Sequence, residues 1–285
     1  MQVPKAIRRV TDFMGVNLTL RSQSLGMTPF PQVMDLLKQL TPMNYGHKEI
    51  RVGSNNDGGY VVPDDFTGIT ECFSPGCAGY WHFEEFLESN FGIHSHICDS
   101  EDQRPGDLGP KQDFEPYYLG PATEKNFITL QDWVGKVQLS DTAEFILQID
   151  IESAEYLTLV AASSDLLKRF RIIVIELHHL EVIKNRHAFE MLYQPFFSKL
   201  LEIFDVTHAH PNNCCGNWNY RNISFPVTLE LTLHRKDRRL NSGKPNYKNS
   251  PLDVPNLPER PELYINWRKI TNLNLNGASK QASTF

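Results

Sequence analysis

The run Arg171-Ile-Ile-Val-Ile-Glu-Leu177 constrains the fold of this chain more than any other segment. An apolar, β-branched stretch bounded by charge suits a strand covered on both faces, and such strands sit at the centre of parallel sheets. Parallel neighbours need crossovers, so helix-length patterns must lie between the strands. They do. A strand at Glu144 to Ile149 and a helix at Ala154 to Phe170 precede the run, and a long helix from about Ile183 to Leu201 follows it. Further upstream come a strand at Thr70 to Ser74, a helix carrying Trp81, Phe83, Phe86 and Leu87, a strand at His94 to Cys98, and a helix at Ile128 to Val134. The last two strands, Ile203 to Ala209 and Pro226 to His234, are joined by Pro211 to Ser224 with no helical pattern between them, which predicts an antiparallel terminal pair. The expected fold is α/β: a doubly wound, mostly parallel, Rossmann-like sheet of about seven strands closed by that pair.

At 285 residues, 40% of them hydrophobic, the chain has material for one domain with decorated ends. One helix is expected in the N-terminal part, at Pro31 to Leu40, and Gly53 to Tyr60 reads as a glycine-rich loop entering a short strand at Val61 and Val62. Ser100 to Pro121 is rich in Pro, Gly and Asp and reads as a long loop, a candidate lid. The tail beyond Arg235 is expected to wrap the surface or to be partly disordered. Twenty-eight basic against 34 acidic residues, with no long basic run, give no reason to expect nucleic acid or an anionic membrane as partner. No segment approaches the roughly 20 apolar residues of a membrane span, and Met1 to Leu20 lacks the apolar core of a signal peptide. The five cysteines are odd in number and lack paired CxxC spacing, which argues against a disulfide framework and a structural zinc site; adjacent Cys214 and Cys215 read as packing or loop residues. A cytoplasmic location is the default, since the sequons at Asn17 and Asn222 matter only in a secretory compartment. Nothing in the sequence fixes an oligomeric state.

Open parallel sheets bind ligands beyond the carboxyl ends of their strands, so residues there carry the candidate chemistry. The Thr70 strand ends in Ser74-Pro-Gly76-Cys-Ala-Gly79, whose glycines let backbone approach a cofactor at a helix start. The His94 strand ends at Asp99, a carboxylate suited to a ribose diol. The Glu144 strand ends in Gln148-Ile-Asp150-Ile-Glu152-Ser-Ala-Glu155, and alternation turns Asp150 and Glu152 to one side. The central strand adds Glu176 and His178, so Asp150, Glu176 and His178 form a candidate site for a divalent cation such as Mg or Mn. Finally, Thr207-His208-Ala-His210-Pro-Asn212-Asn213 offers histidines near neutral pKa and two amides.

The segments Gly53 to Val62 (GSNNDGGYVV), Phe73 to Gly76 (FSPG), Gln148 to Glu155 (QIDIESAE), Ile175 to His178 (IELH) and His208 to Gly216 (HAHPNNCCG) occur in an order that resembles the FkbM-type methyltransferases. The resemblance spans roughly Gly53 to Arg235. It implies a class I methyltransferase fold binding S-adenosylmethionine, with residues 1–49 a helical extension, 50–235 the methyltransferase domain and 236–285 a tail. It further implies that Asp57, Gly58, Gly59 and Tyr60 line the site, that Ser74 and Gly76 approach the methionine end of the cofactor, that Asp99 meets its ribose, and that Asp150, with Glu152, lies beside the sulfonium. The implied acceptor is a small molecule or glycan, methylated on a sugar hydroxyl. Ser153 departs from the pattern, standing where glycine is common after IDIE, and Pro75 and Cys77 alter the first glycine turn.

Methyl transfer asks for a hydroxyl held in line with an activated methyl and for removal of its proton. His208 or His178 is the candidate base, with Asp150 and Glu176 either holding a divalent ion or hydrogen-bonding the sugar directly. Two other readings stand beside this one. A nicotinamide-dependent oxidoreductase also uses a glycine turn and a later acidic residue, although no GxGxxG follows the first strand. A non-catalytic carbohydrate-binding or scaffold protein would keep the same shell without turnover.

Overall fold

The computed structural model describes residues 26–273; the Met1 to Leu20 stretch and the Asn17 sequon lie outside them. In chain order the strands of four or more residues are β1 (Glu49–Gly53), β2 (Gly59–Pro63), β3 (Ile69–Pro75), β4 (His94–Cys98), β5 (Gln112–Glu115), β6 (Glu144–Ile149), β7 (Phe170–Leu177), β8 (Phe204–Pro211), β9 (Asn217–Tyr220), β10 (Ile223–Pro226) and β11 (Leu229–Arg235). Seven of them form the central sheet in the order β8-β11-β7-β6-β3-β4-β5. Pairing is parallel from β5 through to β7, and β11 runs antiparallel to both β7 and β8. This order, with one reversed strand next to the edge, is the class I methyltransferase-like α/β sheet.

Every residue of β7 is buried, as its composition requires. Alternation divides its side chains between two cores: Ile173, Ile175 and Leu177 join the larger one, and Ile172 and Val174 the smaller. The larger core is closed by α1 (Phe30–Gln39), α3 (Leu130–Lys136), α4 (Glu155–Ala161), α5 (Ser164–Leu167), α6 (Gln194–Ile203) and α7 (Trp267–Asn272). The smaller is closed by α2 (His82–Phe91) and the β1–β2 hairpin. Arg171, at the start of β7, is buried between Asp65 and Glu144, so the charge that bounds the apolar run is paired.

Four local expectations are corrected. The loop expected at Ser100 to Pro121 contains β5, the edge strand of the sheet; its four residues include a single apolar one, too little for a periodic signal. β1 was likewise hidden, and it turns the glycine-rich loop into a hairpin. The helix expected at Ala154 to Phe170 breaks at Ser163, whose hydroxyl accepts from Leu166 N at 3.1 Å and restarts the chain as α5. The helix expected from Ile183 begins instead as a 3-10 turn and passes through a π segment at Phe189–Tyr193 before α6. Pro195 lacks the N–H that would bond to the Met191 carbonyl, which accounts for the widened turn before it. Among the described residues, no helix is long and apolar enough to cross a membrane.

Candidate active site

The ends of β3, β4 and β6 are tied together at Gly76. Its N–H donates to the Cys98 carbonyl at 2.9 Å, and Asp150 N donates to the Pro75 carbonyl at 3.4 Å. Its φ of +86° is left-handed backbone, suited to glycine. One residue beyond β4, Asp99 accepts from Ala78 N at 3.0 Å through Oδ2 and from Ser100 N at 2.7 Å through Oδ1. A cavity of about 300 Å³ opens here, walled by Gly76, Asp99, Tyr117, Tyr118, Phe127, Asp150 and Glu152.

A second cavity, of about 500 Å³, lies on the hairpin side and is lined by Asp57, Gly58, Tyr60, Tyr80, His82 and Asn256, among others. The two cavities share Gly76, Ala78 and Asp150. Gly59 lies behind this wall and closes the β1–β2 turn. Ser74 lies beneath it, fully buried, with Glu84 Oε1 and Gln148 Oε1 both in contact with its hydroxyl. A serine has one hydrogen to donate, so the second contact needs a proton from the other side. Burial supplies it by pushing the Glu84 carboxyl up to about 7, so that a protonated Glu84 donates to Ser74 and Ser74 to Gln148.

Beyond Asp150 the charges concentrate. His178 Nε2 lies 3.5 Å from Glu176 Oε1, 3.8 Å from Asp150 Oδ1 and 3.8 Å from Glu152 Oε2; its Nδ1 lies 3.4 Å from Glu155 Oε1, which also accepts from His178 N at 3.1 Å. Burial pulls the imidazole down, but its hydrogen bond to Glu155 and the carboxylates of Glu155, Asp150 and Glu176 outweigh that effect and lift His178 to about 10. Burial raises Asp150 to about 7, the charge of His178 opposing the rise and Glu152, Glu155 and Asp57 adding to it. Glu176 is pushed up by burial and then by Asp150, and it accepts from Asn212 Nδ2 at 2.9 Å. The ligand atoms of Asp150, Glu176 and His178 all lie within 4.8 Å of one another, and so do those of Asp57, Glu176 and Glu230.

Asp57, Gly58 and Tyr60 therefore line the second cavity, Asp99 and Glu152 the first, and Gly76 and Asp150 both, while Glu176 and His178 line neither cavity but cluster with Asp150. His208 stands elsewhere: it lines a crevice of about 20 Å³ with His47 and His234, and its Nε2 lies 2.9 Å from Asp253 Oδ1. It is His210 that reaches inward, with Nδ1 3.0 Å from Glu230 Oε2 and Nε2 2.8 Å from Glu262 Oε1, and these contacts raise it to about 9 against the effect of burial. Glu230, inside the apolar run of β11, is not among the sequence candidates, and a lone acid at a buried strand position is the signal that marks it. Asn256, which donates to both Asp57 and Glu230, had no sequence signal at all. Cys214 and Cys215, read as loop residues, are joined in a vicinal disulfide. They lie in the turn whose Asn213 side chain donates to the carbonyls of Leu257 and Arg260 and so holds the tail against the second cavity.

No family model matches the chain, and no curated protein does. One solved structure, the N-terminal domain of EvdMO1 in the presence of SAH and D-fucose, aligns over 73% of this chain and 97% of its own at 10% identity and a TM-score of 0.28. At that level the likeness adds no argument, and the fold class stands on the strand order.

Proposed function

We propose that this chain is an S-adenosylmethionine-dependent O-methyltransferase whose acceptor is a hydroxyl of a sugar or glycan. The observation that carries this reading is the pair of clefts meeting at Asp150, one suited to a nucleoside and one to a polar acceptor. In the first, the Asp99 carboxylate has lone pairs remaining for a ribose diol, and Tyr117, Tyr118 and Phe127 offer aromatic surface to an adenine. At the junction, Asp150 Oδ1 is buried and has no hydrogen-bond partner among the described residues, so an acceptor oxygen stands unsatisfied where the two clefts meet. When bound, S-adenosylmethionine supplies an activated methyl group.

The second cleft gives the acceptor its orientation. Asp57, His82, Asn256 and Glu259 present donors and acceptors to sugar hydroxyls, and Tyr80, 72% exposed, offers a ring to the C–H face of a pyranose. Residues 50–235 form the catalytic unit, and the tail from 236 contributes Asn256 and Glu259 to the acceptor side. His178, lifted to about 10, carries its proton at neutral pH and serves as a fixed positive charge rather than as the base. Asp150 is then the group placed to take the hydroxyl proton. Asp150, Glu176 and His178 would hold a divalent ion such as Mg or Mn only with His178 deprotonated, the ion then replacing its positive charge and lowering the pKa of the acceptor hydroxyl.

Calorimetric titration of S-adenosylmethionine into wild type and Asp99→Ala tests the class and the placement together. Micromolar binding that is lost in the variant is expected; absence of heat with the wild type would overturn the reading. S-adenosylhomocysteine should raise the melting temperature where NADH does not. If the ion takes part, chelation will lower the transfer rate and added Mg or Mn will restore it.

A further inference from the structure

Away from both clefts, toward the amino ends of β3, β4 and β5, two histidines and two carboxylates converge from three adjacent strands. His94 and His96 alternate along β4, so both rings stand on one face, and they stack with centroids 4.8 Å apart. On β5, Asp113 is the register partner of His96. Its Oδ2 lies 2.7 Å from His94 Nε2 and 3.8 Å from His96 Nδ1. On β3, Glu71 Oε2 lies 3.1 Å from His96 Nε2.

The position of Glu71 decides the tautomer. A neutral imidazole carries one ring hydrogen, and a carboxylate beside Nε2 holds it there, which leaves the Nδ1 lone pair on the side of Asp113. This is the carboxylate–histidine arrangement that orients a metal-bound imidazole. The ligand atoms of His94, His96 and Asp113 lie within 4.8 Å of one another. A tetrahedral ion with bonds of about 2.0 Å needs its ligand atoms roughly 3.3 Å apart, so exposed Asp113 and the partly exposed His94 ring, which stacks on His96, must rotate for the three to converge on it.

We propose that His94 Nε2, His96 Nδ1 and Asp113 Oδ2 bind a divalent zinc ion, with Glu71 as the outer carboxylate and the fourth position open to solvent. Two imidazoles and one carboxylate suit zinc, whereas magnesium and calcium take oxygen ligands, so this site and the carboxylate-rich junction of the clefts select different ions. The ion would fasten the short edge strand β5 to β4. β5 ends at Glu115, whose side chain accepts from Trp133 Nε1 at 3.0 Å and pairs with Lys136, and two residues later Tyr117 enters the wall of the first cleft. Zinc at this place therefore stiffens one side of that cleft from behind.

The test is calorimetric titration of zinc chloride into the untagged, chelator-dialysed full chain, read beside hydrogen exchange of residues 112–119. Wild type is expected to bind zinc with slower exchange across that segment. The partly exposed substitutions His94→Gln and Asp113→Asn should each weaken binding at least tenfold and abolish the added protection, while melting like wild type without zinc. Glu71→Gln should weaken binding about ten- to a hundredfold, since it frees the His96 tautomer. No zinc binding by the wild type would overturn the proposal. So would zinc binding of equal strength in wild type and His94→Gln, because the ion would then belong to another cluster, such as those of His178 or of His47 and His234.

Discussion

A side-chain carbon on Gly76 would stand 1.7 Å from the carbonyl oxygen of Asp150, so the wall between the two clefts exists only because residue 76 has no Cβ. That contact fixes where β3 ends relative to β6, and with it the position of the Asp150 carboxylate. Alanine at 76 must push the Asp150 backbone away and hold a left-handed φ, together destabilising by about 2–4 kcal/mol. Gly76→Ala should therefore lower the melting temperature and weaken S-adenosylmethionine binding at least tenfold in calorimetry. Wild-type affinity in a folded variant would show that the cofactor does not lie along this wall.

The turn after β6 is strained in a second way. Glu152 and Ser153 both have positive φ, +54° and +80°. A non-glycine residue in that region costs roughly 1–2 kcal/mol. Ser153→Gly should recover about 1 kcal/mol, a rise of roughly 2–4 °C in melting temperature for a domain of this size. A drop would mean that the Ser153 hydroxyl contributes more than its backbone strain removes.

Much of this was legible because the sheet writes its own pattern. Apolar runs of the length of β7 announce strands, and the polar residues that end β3, β4, β6 and β7 stand where an open sheet places a site, so Gly76, Asp99, Asp150 and Glu176 are legible as site candidates in the sequence. What stayed hidden depended on tertiary context. β5 is too short and polar to show a period, and Asn256 reaches the site only because the tail folds back over the sheet. His208 and His210 look alike in sequence, sharing a strand and two-residue spacing. Their partners, Asp253 for one and Glu230 with Glu262 for the other, come from segments whose placement periodicity does not encode.

Glu84 makes stability depend on pH. Its folded pKa is about 7 against an ordinary 4.5, because burial disfavours the charge. A raised carboxyl contributes stability that is complete below the unfolded pKa and is lost as pH rises through the folded one. The loss from this group falls between about pH 4.5 and 7 and amounts to about 3 kcal/mol. Glu84→Gln keeps the shape and can still donate to Ser74, so denaturant titrations should show a flatter pH dependence across that window. An unchanged slope would place the titration on another group.

Asp150 is the residue on which the functional reading turns, for among the described residues it alone of the carboxylates borders both clefts. Asn at this position keeps the volume and removes the charge and the basicity. If Asp150 takes the acceptor proton, Asp150→Asn should lower kcat for methyl transfer by about 10²–10⁴. Cofactor affinity should fall far less, because Asp99 and the aromatic wall are untouched. Radiolabelled methyl transfer and calorimetry on the same preparation separate the two effects. An intact rate would move the base elsewhere, and parallel losses in rate and binding would assign Asp150 to holding the cofactor rather than to moving the proton.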